Sequence, residues 1–138
     1  MKFLFTTTVL ALALSIALPA EPMEIKTFEA TGTSPASIQY IFYLPASASS
    51  SNKSPLILFL HGSGGRGTNI AKLLGEGLPK AIDMVPSFPM AVAAPQLSPS
   101  NRGWYEISNT IVALVDEILA TNPIDPERVY LTGLSMGG

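Results

Sequence analysis

Three residues before the last position, Ser135 stands between glycines placed two residues to either side, in Gly133-Leu134-Ser135-Met136-Gly137. A serine hydroxyl attacks a carbonyl only when a base draws off its proton and its position is held, and glycines at this spacing let the chain turn sharply beneath it. The pattern alone arises by chance in roughly one chain in twenty of this length, so its setting decides its weight. Here it follows Arg128-Val-Tyr-Leu-Thr132, a run with strand character. A serine at a strand-to-helix turn is presented for nucleophilic attack on an acyl carbon. A helix opening at Ser135 leaves the Met136 N–H free to face the negative charge that develops on the carbonyl oxygen. An ordinary glycine-rich turn is the alternative.

A second glycine cluster, His61-Gly62-Ser63-Gly64-Gly65-Arg66-Gly67, ends an earlier apolar run. Main chain this unencumbered can approach a substrate oxygen and donate N–H groups to it, and Ser63 is the candidate donor. The same residues spell Gly-x-Gly-x-x-Gly from Gly62 to Gly67, which keeps a dinucleotide site open. That site needs an acidic residue at the end of the next strand, where Ala94-Pro95-Gln96 stands instead, with Asp83 well before it in an irregular stretch. A phosphate-binding P-loop is poorer still, because Thr68 follows Gly67 with no Lys between. His61 is the sole histidine; at the mouth of the loop it suits ordering that loop by hydrogen bonding better than acting as general base. One His and no Cys cannot supply a zinc site. Trp104 and Tyr105 suit either a pocket wall or core-edge packing. Asp125 suits a cap or turn more than a catalytic acid.

The elements that must hold these residues follow from hydropathy. Ser37–Leu44 is rich in β-branched and aromatic residues, and Pro55–Leu60 is continuously apolar, as a strand buried on both faces is. Met90–Ala94 and Arg128–Thr132 are further strands. Between those two, Ile107, Ile111, Leu114, Val115, Ile118 and Leu119 recur at helical spacing, and Asn122-Pro123 stops the helix. A shorter helix is expected from Thr68 to Gly75. Strand, helix, strand, helix, strand implies an α/β domain with a mainly parallel sheet and helices on both faces.

The 138 residues suit a single domain. With 47% hydrophobic residues, 13% charged and a formal net charge of −2, neither disorder nor an electrostatic grip on nucleic acid is favoured. Lys2, then an uncharged apolar stretch to Leu18, then Pro19-Ala20, reads as a secretory signal over residues 1–20, leaving a domain over 21–138. A retained membrane anchor is the alternative. The expected location is therefore outside the cytoplasm, secreted or periplasmic, and without cysteine the fold must hold by packing alone.

Taken together, the segment from Leu58 to Gly67, the Ala94-Pro95-Gln96 end, Trp104, and the segment from Ile124 to Gly138 resemble the α/β-hydrolase superfamily. Within it the chain is most similar to exported carboxylesterase-like proteins, a group also labelled predicted peptidases, near feruloyl esterases, polyhydroxybutyrate depolymerases and dienelactone-hydrolase-like proteins. The resemblance implies Ser135 as nucleophile with Ser63 and Met136 as oxyanion donors. It further implies a small-molecule or polymer ester as substrate, no cofactor, and an acid and a histidine that follow the serine. Neither of these lies in this sequence. The expectation is thus the N-terminal half of an α/β-hydrolase fold, cut after the serine turn, with little activity of its own. A serine peptidase of the same fold and a non-catalytic binding fragment are the alternatives.

Overall fold

The computed structural model describes residues 22–29, 32, 35 and 37–138, so the expected signal segment lies outside it. Among the described residues no helix is long and apolar enough to cross a membrane. Five strands, β1 (Glu24–Glu29), β2 (Ser37–Tyr43), β3 (Ser54–Leu60), β4 (Ala91–Pro95) and β5 (Ile124–Gly133), form one sheet in the order β1-β2-β4-β3-β5. The parallel pairs are β3 with β4 and β3 with β5, whereas β1 with β2 and β2 with β4 are antiparallel. The α/β architecture is as expected, but the sheet is mixed, because β2 enters from the opposite direction and β1 folds back on it as a hairpin partner.

Both faces of the sheet are covered. On one, Tyr40 and Phe42 of β2, Leu56, Leu58 and Leu60 of β3, and Ala91 and Ala93 of β4 pack with Ile111, Leu114 and Ile118 of helix α2 (Ser108–Thr121). On the other, Ile41, Phe59 and Ala94 meet Ile70 and Leu73, while Tyr43 and Val92 meet Ile82 of helix α1 (Gly77–Asp83). Alternate residues of each strand thus point to opposite layers, which is why β3 and β4 read as unbroken apolar runs.

Three expectations are corrected. The segment after the glycine loop is a 3-10 helix over Ile70–Gly75, not an α-helix from Thr68. The stretch holding Asp83 is helical, since Pro79 falls in the first turn of α1, where a missing N–H costs nothing. The last strand starts four residues earlier than expected, at Ile124. Its register against β3 shifts between Ser54 and Leu56, a bulge that absorbs Pro126 on the outer side. Among the described residues β5 pairs only with β3, and Leu131 on it is 68% exposed. Between β5 and α2 lies an apolar groove of about 460 Å³, bordered by Leu58, Leu60, Trp104, Ile111 and Tyr130.

Candidate active site

The parallel register of β3 and β5 sets Leu60 beside Gly133, so the two glycine-containing segments leave the sheet side by side. The Leu134 N–H donates to the Leu60 carbonyl at 3.1 Å, extending the pairing by one residue into the turn. Ser135 follows with φ of 54°, a left-handed conformation that disfavours a residue with a β-carbon. Ser87, in a loop, is the other such non-glycine among the described residues, so backbone strain alone does not single out a site.

Backbone meets backbone around Ser135. A β-carbon on Gly62 would lie 3.1 Å from the Leu134 carbonyl oxygen and 3.4 Å from Ser135 Cβ. One on Gly137 would overlap the Leu60 carbonyl. Glycine at these places lets the His61–Gly67 loop rest against the serine turn.

Each of the two turns keeps N–H groups uncommitted to its own closure. Ser135–Gly137 is a 3-10 turn closed by Gly137 N–H to Leu134 O and Gly138 N–H to Ser135 O, both at 3.0 Å, which leaves that of Met136 out of the closure. Ser63–Gly65 is closed by Gly65 N–H to Gly62 O and Arg66 N–H to Ser63 O, which leaves out those of Ser63 and Gly64. Sequence-predicted Ser135, Met136 and Ser63 therefore fall in two abutting turns at one end of β3 and β5. Asp125 falls at the other end of β5. There its carboxylate accepts from Arg128 Nε at 2.6 Å and from the Glu127 N–H at 3.0 Å, contacts that hold its pKa below the usual range. It is a turn cap.

His61 is buried beneath the loop. The Leu97 N–H can only donate, and it reaches His61 Nε2 at 3.0 Å; Nε2 is therefore bare and Nδ1 carries the hydrogen, which goes to the Gly62 carbonyl at 2.6 Å. Burial lowers the pKa of His61 below its ordinary value; the bond to Gly62 and Glu76 pull it back up, Arg66 and Lys72 oppose them. Both ring nitrogens are committed to backbone. Trp104 donates its indole N–H to the His61 carbonyl at 3.0 Å and packs edge-on against the imidazole, centroids 4.9 Å apart. It is a fixed prop of the loop as well as a wall of the apolar groove.

Three further residues of this network carry no signal in their types. Lys72 Nζ donates to the Gly64 carbonyl at 2.7 Å, Gln96 Nε2 donates to the Gly65 carbonyl at 3.0 Å, and Leu97 takes the Gly67 N–H on its carbonyl at 3.0 Å. The Gly62–Gly67 spacing that suits a dinucleotide is present, but no α-helix starts at its end, and the amide of Gln96 already serves the loop.

No family model matches the chain, and no curated protein does. Solved structures do resemble it. A thermostable esterase superposes with a TM-score of 0.61 at 26% identity, over 83% of this chain and 35% of its own. The CE1 ferulic acid esterase of the anaerobic fungus Anaeromyces mucronatus gives 0.60 at 15%, over 91% and 53%. A thermophilic esterase of the planctomycete Thermogutta terrifontis gives 0.58 at 16%, over 83% and 41%. The chain thus spans between 35% and 53% of the length of these structures. It shares with them the α/β-hydrolase type of fold over the part it covers.

Two outcomes follow from the geometry. Replacing Ser135 with Gly relieves a left-handed strain of about 1–2 kcal/mol and adds unfolded-state freedom of about 0.5–1 kcal/mol, so urea unfolding should show a net change between about 0 and 1.5 kcal/mol in favour of the variant. A loss of stability would show that Ser135 is not held against its preference. For His61 the folded-state pKa lies below the unfolded one, so the unfolded chain binds the proton more readily. Stability is full above the ordinary value of about 6.5 and falls as pH drops through it toward the lowered folded value. Urea midpoints compared at pH 7 and 5.5 should decline for the wild type and stay level for His61→Gln.

Proposed function

We propose that this chain carries the nucleophile and oxyanion donors of a carboxylic ester hydrolase that works through an acyl-serine intermediate. The observation that carries the reading is Ser135 at φ 54°, two residues past the end of β5, with Gly62 in contact with its turn. A hydroxyl on such a tip attacks an ester carbonyl; the uncommitted N–H groups of Met136 and Ser63 receive the charge on the tetrahedral oxygen. Collapse expels the alcohol, and water then releases the acid from Ser135. No cofactor enters this chemistry.

The base that takes the Ser135 proton is not His61, whose nitrogens are both committed to backbone groups, and no other histidine occurs in residues 1–138. The preference for esters over amides rests on the structural neighbours, which are esterases. The start of the sequence supports export, with a small or polymeric ester met outside the cytoplasm.

The test uses the intact gene product with p-nitrophenyl butyrate, methyl ferulate and a peptide anilide. Hydrolysis of the esters should exceed that of the anilide, and Ser135→Ala should lower kcat by at least about 10³-fold with the protein still folded. Ester turnover undiminished in Ser135→Ala overturns the reading, and turnover of the anilide in preference to the esters replaces esterase by peptidase.

A further inference from the structure

A loop that offers N–H groups to an oxyanion works only if those groups point one way before substrate arrives. Glycine-rich backbone has no such preference, so the direction must come from outside the loop. In a trans peptide the N–H of one residue points opposite to the C=O of the residue before it. Whatever pins a loop carbonyl therefore aims the following N–H.

The pins converge on Gln96 and Leu97, just past β4. Gln96 is 6% exposed, and its backbone N–H donates to the Gln39 carbonyl at 2.9 Å, which ties it to strand β2 inside the sheet. Its side-chain Nε2 reaches two carbonyls of the loop segment, Gly65 at 3.0 Å and Asn69 at 3.1 Å. A primary amide has two N–H hydrogens, and each has one acceptor here. Leu97 supplies the other two contacts, N–H to His61 Nε2 at 3.0 Å and C=O from the Gly67 N–H at 3.0 Å. His61, held by Leu97, in turn holds the Gly62 carbonyl, and so aims the Ser63 N–H. The loop is stitched to one dipeptide at residues 61, 65, 67 and 69. Gly67 lies so close that a β-carbon on it would stand 3.2 Å from Gln96 Nε2.

We infer that Gln96 is a positioning residue for the oxyanion loop: its buried amide, bridging the Gly65 and Asn69 carbonyls, anchors the far end of the Ser63–Gly65 turn, whose Gly65 N–H closes on the same Gly62 carbonyl that His61 holds, and so keeps the Ser63 N–H aimed at the site beside Ser135. The inference rests on the ester-hydrolase reading above. Gln96 touches no substrate. Its effect is confined to the state in which the carbonyl oxygen carries charge.

In the intact protein, Gln96→Leu removes both donors at similar volume, and Gln96→Glu keeps the shape but sets a carboxylate against two carbonyls. Both should lower kcat about 10- to 100-fold with KM changed less than about threefold. Affinity for an alkyl boronic acid, which forms a tetrahedral anion on the serine, should fall in the same proportion, while affinity for the product carboxylic acid should not. Amide exchange at Gly65 and Gly67 should quicken in both variants. If Gln96→Leu fails to fold, Gln96→Glu carries the same measurements. Full kcat per folded molecule in either variant, with Ser135→Ala inactive, overturns the role of Gln96 and leaves the hydrolase reading standing. An active Ser135→Ala overturns both.

Discussion

Leu60 and Gly133 are paired in parallel, and the rest of the site depends on that register. Parallel neighbours end at the same side of a sheet, so the loops that leave them start adjacent to each other. Here one is Gly-rich and the other carries Ser135. A shift of one residue along β5 would turn its side chains to the opposite faces and separate Gly62 from the Leu134–Ser135 turn. The backbone contacts at Gly62 and Gly137 lock the arrangement, because a side chain would be crowded at Gly62 and has no room at Gly137.

The sheet itself is held from both sides. Small residues in β4, with Ala91, Ala93 and Ala94 fully buried, let α2 on one face and the Ile70–Gly75 turn on the other approach closely. Against this tight frame, the His61–Gly67 loop has few apolar contacts of its own and is fixed by polar ones. Its carbonyls go to His61, Lys72 and Gln96, and no buried side-chain polar atom among the described residues is left without a partner. Hydrogen bonds of this kind stabilise the loop modestly, but each leaves a costly orphan when one partner is removed.

Much of this was legible in the residues. The unbroken apolar run of β3 and the helical spacing of α2 have strong periodic signals, and the serine turn is a local pattern in a strand's wake. What escaped did so for physical reasons. In β1, Glu24–Glu29, only Phe28 is buried, so an edge hairpin partner has little apolar signature. The start of β5 is hidden by Asp125-Pro126-Glu127-Arg128, which reads as a turn and is tolerated because it bulges at an open edge. The helix α1 begins with Gly77 at φ 55° and Pro79, a composition that reads as loop. Gln96 and Leu97 reach loop residues 27 to 36 positions away in sequence. Contacts that distant depend on how β2, β4 and β3 pair, and nothing in the residue types alone announces them.

In the proposed mechanism the attacking atom is the hydroxyl oxygen of Ser135. The direct measurement is to treat the intact protein with a fluorophosphonate and locate the adduct by peptide mass spectrometry. A single phosphonyl group on the peptide containing Ser135, lost in Ser135→Ala, is the predicted result. An adduct on another residue, or equal labelling of the Ser135→Ala protein, would contradict it.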